Sequence, residues 1–310
     1  GLFHLDEAGK LPEEMKILSV GRQTVSQEEW VSKIKEMLDI KFNNKYDLKV
    51  FDRFIKRNIY HANLPDDPNA FKKFSELLLN DDRFPKNFAF FLSVRPSAFS
   101  LIVDQLAQEN LLNEEQYWRR VLIEKPFGAN LKSAIELQLS ISKHLKETQI
   151  YRIDHYLGKS ALQNILWTRF SNSIFEHMWN NEHIDHIQIT NHETLGVGER
   201  TQFYDATGAL RDMTQSHLLQ MLALTTMEKP KSFSPDDIRI EKIKLLKSIK
   251  PIPIDKIDKY AFRAQYKSGN IEKEGHVKGY LEELENDKSV VETYAAIKLF
   301  IDNPRWKNIP

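Results

Sequence analysis

The chain has 310 residues, of which 41% are hydrophobic and 28% are charged, as expected for a soluble globular protein of one or two domains. Lysine plus arginine and aspartate plus glutamate number 44 each, so no global field attracts nucleic acid or an anionic membrane. The absence of cysteine excludes disulfides and thiolate metal sites. No run of about 18 apolar residues predicts a membrane span. We therefore expect a cytoplasmic protein without membrane or nucleic-acid partners.

Strands and helices alternate in the first half of the sequence. Residues 15–20 alternate like a strand, and Ser26 with Glu29 forms a capping-box pattern that predicts the start of a helix. Residues 51–60 are aromatic and basic without a clear period. Further predicted elements are a helix at 71–79 and strands at 88–94 and 121–124. This alternation predicts a Rossmann-like parallel sheet wound by helices, over residues 1–154.

The second half, residues 155–310, has its strands and helices in blocks. Helices are predicted at 161–170, 208–226 and 281–284, and strands at 183–190, 263–266 and 293–301. Such blocks favour an α+β domain with a mixed or antiparallel sheet.

One octapeptide, Arg152–Lys159, concentrates chemically active side chains just before a helical pattern. It contains an acid, Asp154, followed by the anion-binding candidates His155, Tyr156 and Lys159. A helix N-terminus also favours an anionic ligand group. If the segment is extended, Asp154 and His155 point to opposite faces and serve different partners. The alternative is an exposed loop with ordinary polar residues.

His217 is the candidate partner of Asp154. It lies in the predicted helix 208–226, on a face whose other members are Leu210, Met213, Met221 and Leu224. The histidine is therefore predicted to point inward, either as an ordinary core histidine or as a base whose tautomer is fixed by a carboxylate. Asp212 lies too far round the helix for that, so an outside acid such as Asp154 is required.

Other polar residues follow predicted strands. Arg22 closes the first strand predicted in this sequence. In dinucleotide folds an acid at the end of the second strand binds the adenosine ribose, and an arginine there accepts a 2′-phosphate, so Arg22 without an acid favours NADP over strict NAD use. Lys125 also ends a strand, and Glu193 either binds sugar hydroxyls or is solvated. The glycine fingerprint of dinucleotide folds is missing, and residues 196–201 only imitate it. Two histidines, 183 and 186, lack a third metal ligand, so no metal site is predicted.

On these residues the sequence resembles the glucose-6-phosphate dehydrogenase family. Arg152–Lys159 looks like the family signature, and Ile123–Gly128 looks like a second motif. Asp205–Met213, leading to His217, resembles a third motif, and Phe262–Tyr266 a fourth. The likeness runs along the whole chain in the family's order.

The resemblance implies a role for each candidate residue. His217 would be the base that takes the C1 hydroxyl proton of the sugar, oriented by Asp154. The implied binding residues are His155, Tyr156 and Lys159 for the substrate phosphate, Glu193 and Asp212 for sugar hydroxyls, Lys125 (before a cis Pro126) for sugar and nicotinamide, and Arg22 with Gln23 for the adenosine end of NADP. Some relatives with this arginine–glutamine pair also accept NAD.

The implied reaction is oxidation of glucose 6-phosphate to 6-phospho-glucono-1,5-lactone, the first step of the oxidative pentose phosphate pathway, in a homodimer. The family's glycine-rich loop would precede Gly1 and its chain would continue past Pro310. We therefore expect the 310-residue chain by itself to be poorly active or inactive. Two alternatives stay open: another sugar dehydrogenase that shares Glu124–Pro126, and a non-catalytic remnant that binds sugar phosphates.

Overall fold

The computed structural model describes residues 1–64, 67–272 and 275–310. It divides into two compact units, Gly1–Ile153 and Asp154–Pro310. Parallel strands lie in the first unit and antiparallel strands in the second, so the chain has a mixed α/β fold.

The first unit alternates strands and helices around two parallel sheets, one of order β1–β2 and one of order β3–β4–β5. Its elements are α1 (Leu2–Glu7), β1 (Ile17–Gly21), α2 (Gln27–Phe42), α3 (Leu48–Arg57), β2 (Asn58–Ala62), α4 (Ala70–Asn80), β3 (Phe88–Leu92), α5 (Phe99–Gln108), β4 (Arg119–Glu124), α6 (Leu131–Ile141) and β5 (Ile150–Ile153). Parallel strands need crossover connections, and the intervening helices provide them.

Local sequence explains several element boundaries in this unit. Ser26 caps α2 because its side chain accepts a hydrogen bond from the Glu29 backbone N–H and the Glu29 carboxylate accepts one from the Ser26 N–H. Residues 51–60, where the sequence showed no period, form the end of α3 and the start of β2. Arg57 is buried there, with its Nε 2.9 Å from the Asp6 carboxylate and its Nη1 donating to backbone carbonyls. This partner lies 51 residues upstream, beyond the reach of local periodicity.

The main core of the first unit lies on the three-stranded sheet. Alternate residues of β4 (Arg119, Val121 and Ile123) are buried, as expected for a strand that packs one face on a core. Val103 and Leu111 are fully buried in the same cluster. Leu18 of β1 also packs against it. This packing fixes the carboxyl ends of β1 and β4, where Arg22 and Lys125 follow.

The second unit combines helices with two antiparallel strand pairs, β6–β9 and β7–β8. Its elements are α7 (Ser160–Phe170), α8 (Ser173–Met178), α9 (Thr201–Asp205), a π-helix (Leu210–Leu218), α10 (Leu219–Thr226), α11 (Pro235–Lys247), β6 (Ala261–Ala264), β7 (Gly269–Ile271), β8 (Gly275–Val277), α12 (Tyr280–Leu284) and β9 (Tyr294–Ile297).

The C-terminal carbonyls of α10 are capped by buried side chains. Arg169 donates to the carbonyls of Leu224 and Met227 at 2.9 Å each, and Trp306 donates to the carbonyl of Thr226 at 2.7 Å. The last carbonyls of a helix have no partner within the helix, so these bonds replace lost water. Burial lowers the pKa of Arg169 to about 10. The end of α10 is therefore a fixed point in the unit.

One sequence prediction is wrong in this unit: residues 183–190 form no strand, because no described strand pairs with them. The helix predicted at 208–226 is confirmed, but its first part, Leu210–Leu218, is a π-helix that continues into α10. Since a π-turn is wider than an α-turn, the face drawn at α-helical spacing does not hold: Leu210 is 43% exposed, whereas Thr214 is buried.

Candidate active site

The segment that follows β5 forms a short turn of 3₁₀-helix at His155–Gly158. Asp154 caps this turn, because its Oδ1 accepts a hydrogen bond from the Tyr156 backbone N–H at 3.1 Å. The expectation of an extended segment with Asp154 and His155 on opposite faces is therefore wrong from His155 onward. A short polar residue at the cap favours the turn over a continued strand. The chain then enters α7 at Ser160.

Asp154 and His217 are in contact, although 63 residues separate them in the chain. Nδ1 of His217 lies 3.1 Å from Oδ1 of Asp154, and both side chains are largely buried, with 13% and 12% of their surface exposed. A carboxylate at this distance holds an imidazole in the tautomer that carries its proton on Nδ1. The other ring nitrogen, Nε2, is then a proton acceptor.

Tyr156 packs against both His217 and Lys159. Its ring stacks on the imidazole of His217, with centroids 4.4 Å apart and an interplanar angle of 29°. The ammonium nitrogen of Lys159 lies 4.0 Å from the centroid of the Tyr156 ring, a cation–π contact. The Tyr156 hydroxyl donates to Oδ1 of Asn191 at 3.2 Å. One phenol ring thus fixes the spacing between a candidate base and a candidate anion-binding lysine.

The candidate phosphate ligands are accessible to solvent. His155 and Lys159 are exposed, whereas Tyr156 is half-buried. Two cationic or protonatable groups and a phenol at the surface, beside the start of α7, form a donor set that suits a phosphate group.

Glu193 and Asp212 are carboxylates near a common tyrosine, Tyr204. Burial, together with the charges of Asp212, Glu292 and Glu193, raises the pKa of Tyr204 to about 12. Glu193 is exposed and Asp212 is half-buried in the π-helix. Carboxylates with one accessible side can accept hydrogen bonds from sugar hydroxyls.

Lys125 follows β4 in the first unit and is half-buried. The peptide bond between Lys125 and Pro126 is cis. The chain then turns at Gly128, whose φ of +130° and close approach to α6 leave no room for a side chain: a Cβ would lie 2.5 Å from the Ala134 backbone nitrogen. These features hold the lysine at the carboxyl edge of the sheet.

Arg22 and Gln23 follow the carboxyl end of β1, at the edge of the two-stranded parallel sheet. Both side chains are exposed, and the Gln23 carbonyl accepts a hydrogen bond from the Tyr60 hydroxyl at 2.7 Å. An exposed guanidinium beyond the end of a parallel strand has the chemistry required to receive a phosphate of a dinucleotide.

Within residues 1–64, 67–272 and 275–310, no group of three or more histidines and acids is arranged to hold a metal ion. The side chain of His183 contacts Asn180, and that of His186 contacts Asp185. Over the same residues, no helix is long and apolar enough to cross a membrane.

The structure adds two residues that the sequence analysis did not select. Asn191 accepts a hydrogen bond from the Tyr156 hydroxyl. In the same segment, the sequence analysis had proposed a binding role for Glu193 but none for Asn191. Lys242 on α11 interacts electrostatically with Asp154. The sequence analysis predicted no helix here; at helical spacing, this lysine falls in line with the apolar residues Ile238 and Leu245.

Family models cover nearly the whole chain. Residues 1–164 match the model described as glucose-6-phosphate dehydrogenase, NAD binding domain, and residues 166–310 match the model of the C-terminal domain of the same family.

Individual relatives agree with the family models. The chain is 41% identical to glucose-6-phosphate 1-dehydrogenase of Chlamydia pneumoniae, over 100% of the chain and 61% of that protein, and 39% identical to the same enzyme of Bacillus subtilis, over 100% and 62%. The crystal structure of glucose-6-phosphate 1-dehydrogenase from Mycobacterium avium superposes on this chain with a TM-score of 0.83 and 32% identity. The match covers 98% of this chain and 62% of the M. avium chain. A glucose-6-phosphate dehydrogenase in complex with its substrate glucose 6-phosphate matches 99% and 63%, with TM-score 0.87 and 33% identity. The chain thus spans about three fifths of the length of these proteins.

Proposed function

Since the chain belongs to the glucose-6-phosphate dehydrogenase family, we propose that the protein oxidises glucose 6-phosphate to 6-phospho-glucono-1,5-lactone with NADP. The observation that carries this proposal is the contact between Nδ1 of His217 and the Asp154 carboxylate in a largely buried position. This reaction is the first step of the oxidative pentose phosphate pathway.

His217 is the proposed base. Its Nδ1 is engaged with Asp154, so Nε2 accepts the proton of the C1 hydroxyl as the hydride leaves C1. The bond from C1 to its hydroxyl oxygen then becomes the lactone carbonyl, and the proton stays on the imidazole. Asp154 stabilises the imidazolium that forms, because the two groups then carry opposite charges.

The substrate is held at both ends in this proposal. The phosphate is bound by His155, Tyr156 and Lys159. This part of the proposal is supported by their accessible donor groups beside α7. The sugar hydroxyls are bound by Glu193 and Asp212. This assignment is supported by the electrostatic effect of both carboxylates on the same residue, Tyr204. The cation–π contact of Lys159 with the Tyr156 ring links the phosphate end to the base.

Arg22, Gln23 and Lys125 are the proposed cofactor residues, with Lys125 also reaching the sugar. The exposed guanidinium of Arg22 after β1 fits the 2′-phosphate of NADP, although NAD use is compatible with the same residues. NADP, when bound, supplies the nicotinamide ring that accepts the hydride. We further propose that the protein forms a homodimer, on the basis of the family resemblance. We propose a cytoplasmic location, which fits a sequence without cysteine.

The test is a spectrophotometric assay of nicotinamide reduction by the natural protein that carries this chain. Glucose 6-phosphate and glucose are compared as substrates, each with NADP and with NAD. We expect turnover with glucose 6-phosphate and NADP, and Lys159→Ala to raise the KM for glucose 6-phosphate roughly tenfold to a hundredfold, since a charged hydrogen bond is worth about 1.5–3 kcal/mol.

The exposed Lys247→Ala on α11 is the matched control and should leave the KM unchanged. Equal activity on glucose, unaffected by Lys159→Ala, would point to another sugar dehydrogenase. Calorimetric binding of glucose 6-phosphate without turnover would point to a non-catalytic protein.

A further inference from the structure

Lys242 lies on the face of α11 that packs against the core of the second unit. Ile238, four residues before it, and Leu245, three residues after it, both belong to the apolar cluster of that core. The same cluster includes Tyr156 and Met221, which flank Asp154 and His217 in the chain. Lys242 is half-buried there, whereas other lysines of the helix are exposed. The helix therefore directs one lysine toward the core that also contains Tyr156 and Met221.

The electrostatic surroundings of Lys242 agree with this position. Burial lowers the pKa of its ammonium group below the ordinary value, the nearby Arg239 lowers it too, and Asp154 opposes both. Because electrostatic interactions are strongest between groups in the same partly buried region, this one indicates that Lys242 and Asp154 lie in the same part of the unit. By contrast, Lys244 is exposed and bridges to Glu241 on its own helix, with its Nζ 2.7 Å from the carboxylate.

We propose that Lys242 is a positioning residue for the reaction: its ammonium group faces Asp154 from α11 and balances the carboxylate that holds His217. This inference rests on the proposed function, since it gives Lys242 its role through the same pair. Lys242 acts through Asp154 and need not touch the substrate. No feature of the sequence motifs assigns this role.

The proposal has a defined consequence for proton affinity. Charged groups of this region include Asp154 in contact with His217 and Lys159 across the Tyr156 ring. Asp212 lies in the same π-helix as His217, and Lys242 of α11 interacts with Asp154 and with Arg239. A carboxylate favours the protonated imidazole, and a nearby cation disfavours it. Lys242 therefore keeps His217 unprotonated, and able to act as a base, to lower pH than Asp154 alone would allow.

The test compares Lys242→Met and Lys242→Gln, which remove the charge, with Lys242→Arg, which keeps it. Lys247→Met is the matched control, because it removes an exposed lysine of the same helix. The first readout is the pH dependence of kcat/KM with glucose 6-phosphate and NADP in the natural protein. The second is the titration of His217, followed by NMR of ¹³C-labelled histidine and assigned with a His217→Asn variant.

We expect the ascending limb of kcat/KM to move to higher pH by about half to one unit in Lys242→Met and Lys242→Gln, with activity recovered above the limb. The His217 titration should move by the same amount, and Lys242→Arg and Lys247→Met should match the wild type. An unchanged His217 titration in a folded charge-removing variant, or an equal shift in Lys247→Met, would overturn the proposal. Absence of turnover in the wild type would instead remove the proposed function, and the NMR titration would still decide the role of Lys242.

Discussion

The imidazole of His217 stacks on the ring of Tyr156 at a centroid distance of 4.4 Å, while Asp154 contacts the edge of the same imidazole at 3.1 Å. The histidine is thus held in two ways, by a ring on its face and by a carboxylate at Nδ1. Tyr156 is held in turn by Asn191. The imidazole therefore has little freedom to rotate, which would suit its proposed role in proton transfer from a fixed direction.

Replacing His217 with asparagine should lower kcat by about two to four orders of magnitude, because the general base is lost. Steady-state turnover with glucose 6-phosphate and NADP measures this change. The substrate affinity, measured by calorimetry, should change little. His183→Asn is the control, since His183 is exposed and contacts Asn180, and a comparable loss in that variant would contradict the assignment.

Substitutions of Tyr156 separate its ring from its hydroxyl. Tyr156→Phe keeps the stacking on His217 and loses the bond to Asn191, so we expect the KM for glucose 6-phosphate to rise a fewfold with kcat unchanged. Tyr156→Ala also removes the stacking and the cation–π contact, each worth about 0.5–1.5 kcal/mol, so kcat should fall roughly tenfold. Identical kcat values for the two variants would show that the ring does not position His217.

Because of Tyr204, we expect the free energy of unfolding to depend on pH in the alkaline range. Its pKa is about 12 in the folded state and close to the ordinary 10.0 when unfolded. Between these values the unfolded chain releases a proton that the folded chain keeps, so the stability present below about pH 10 is lost as the pH rises. Allowing for partial solvent screening, we expect a loss of about 1 kcal/mol at about pH 11.

Urea unfolding of wild type and Tyr204→Phe at about pH 8 and about pH 11 measures this contribution. The variant should lose less free energy of unfolding between the two pH values than the wild type does. The pKa of Tyr266 and that of Tyr280 are also raised by burial, so the variant should keep part of the dependence. An identical loss in both proteins would contradict the prediction.

Gly128 should tolerate no side chain. Gly128→Ala places a Cβ 2.5 Å from the Ala134 backbone nitrogen at a φ of +130°, so we expect the free energy of unfolding to fall by about 1–3 kcal/mol. Because Lys125 precedes this turn, the KM values for substrate and cofactor should rise as well. Gly269→Ala, where no atom lies within 4 Å of the added Cβ, is the control and should change both quantities much less.

Local features of the fold were predictable because short-range interactions determine them. The reciprocal bonds of Ser26 and Glu29 set the start of α2 whatever surrounds it. The two strands that end just before Arg22 and Lys125 were predicted from apolar runs that end in polar residues. A strand at 183–190 was predicted wrongly, because alternation describes one face of a chain while a strand also needs a partner.

Most candidate site residues were selected from local chemistry, and the family resemblance added a role for each of them. Chemistry alone left His217 as either a core residue or a base, since its distance from Asp154 depends on how the π-helix and the turn after β5 pack. Lys242 was missed because its proposed role depends on an electrostatic interaction with Asp154, 88 positions earlier in the chain. The roles of the site residues stay predictions until the variants are assayed.

The π-helix Leu210–Leu218 makes the length of this segment as important as its composition. Its bonds reach one residue further than those of an α-helix, so it accommodates one extra residue between Gly208 and the capped end of α10. Deleting a single exposed residue, such as Gln215, would let the segment close to α-turns and rotate Asp212 by about 100° relative to His217. Single-residue insertions and deletions here should therefore disturb catalysis more than most exchanges of one exposed side chain for another.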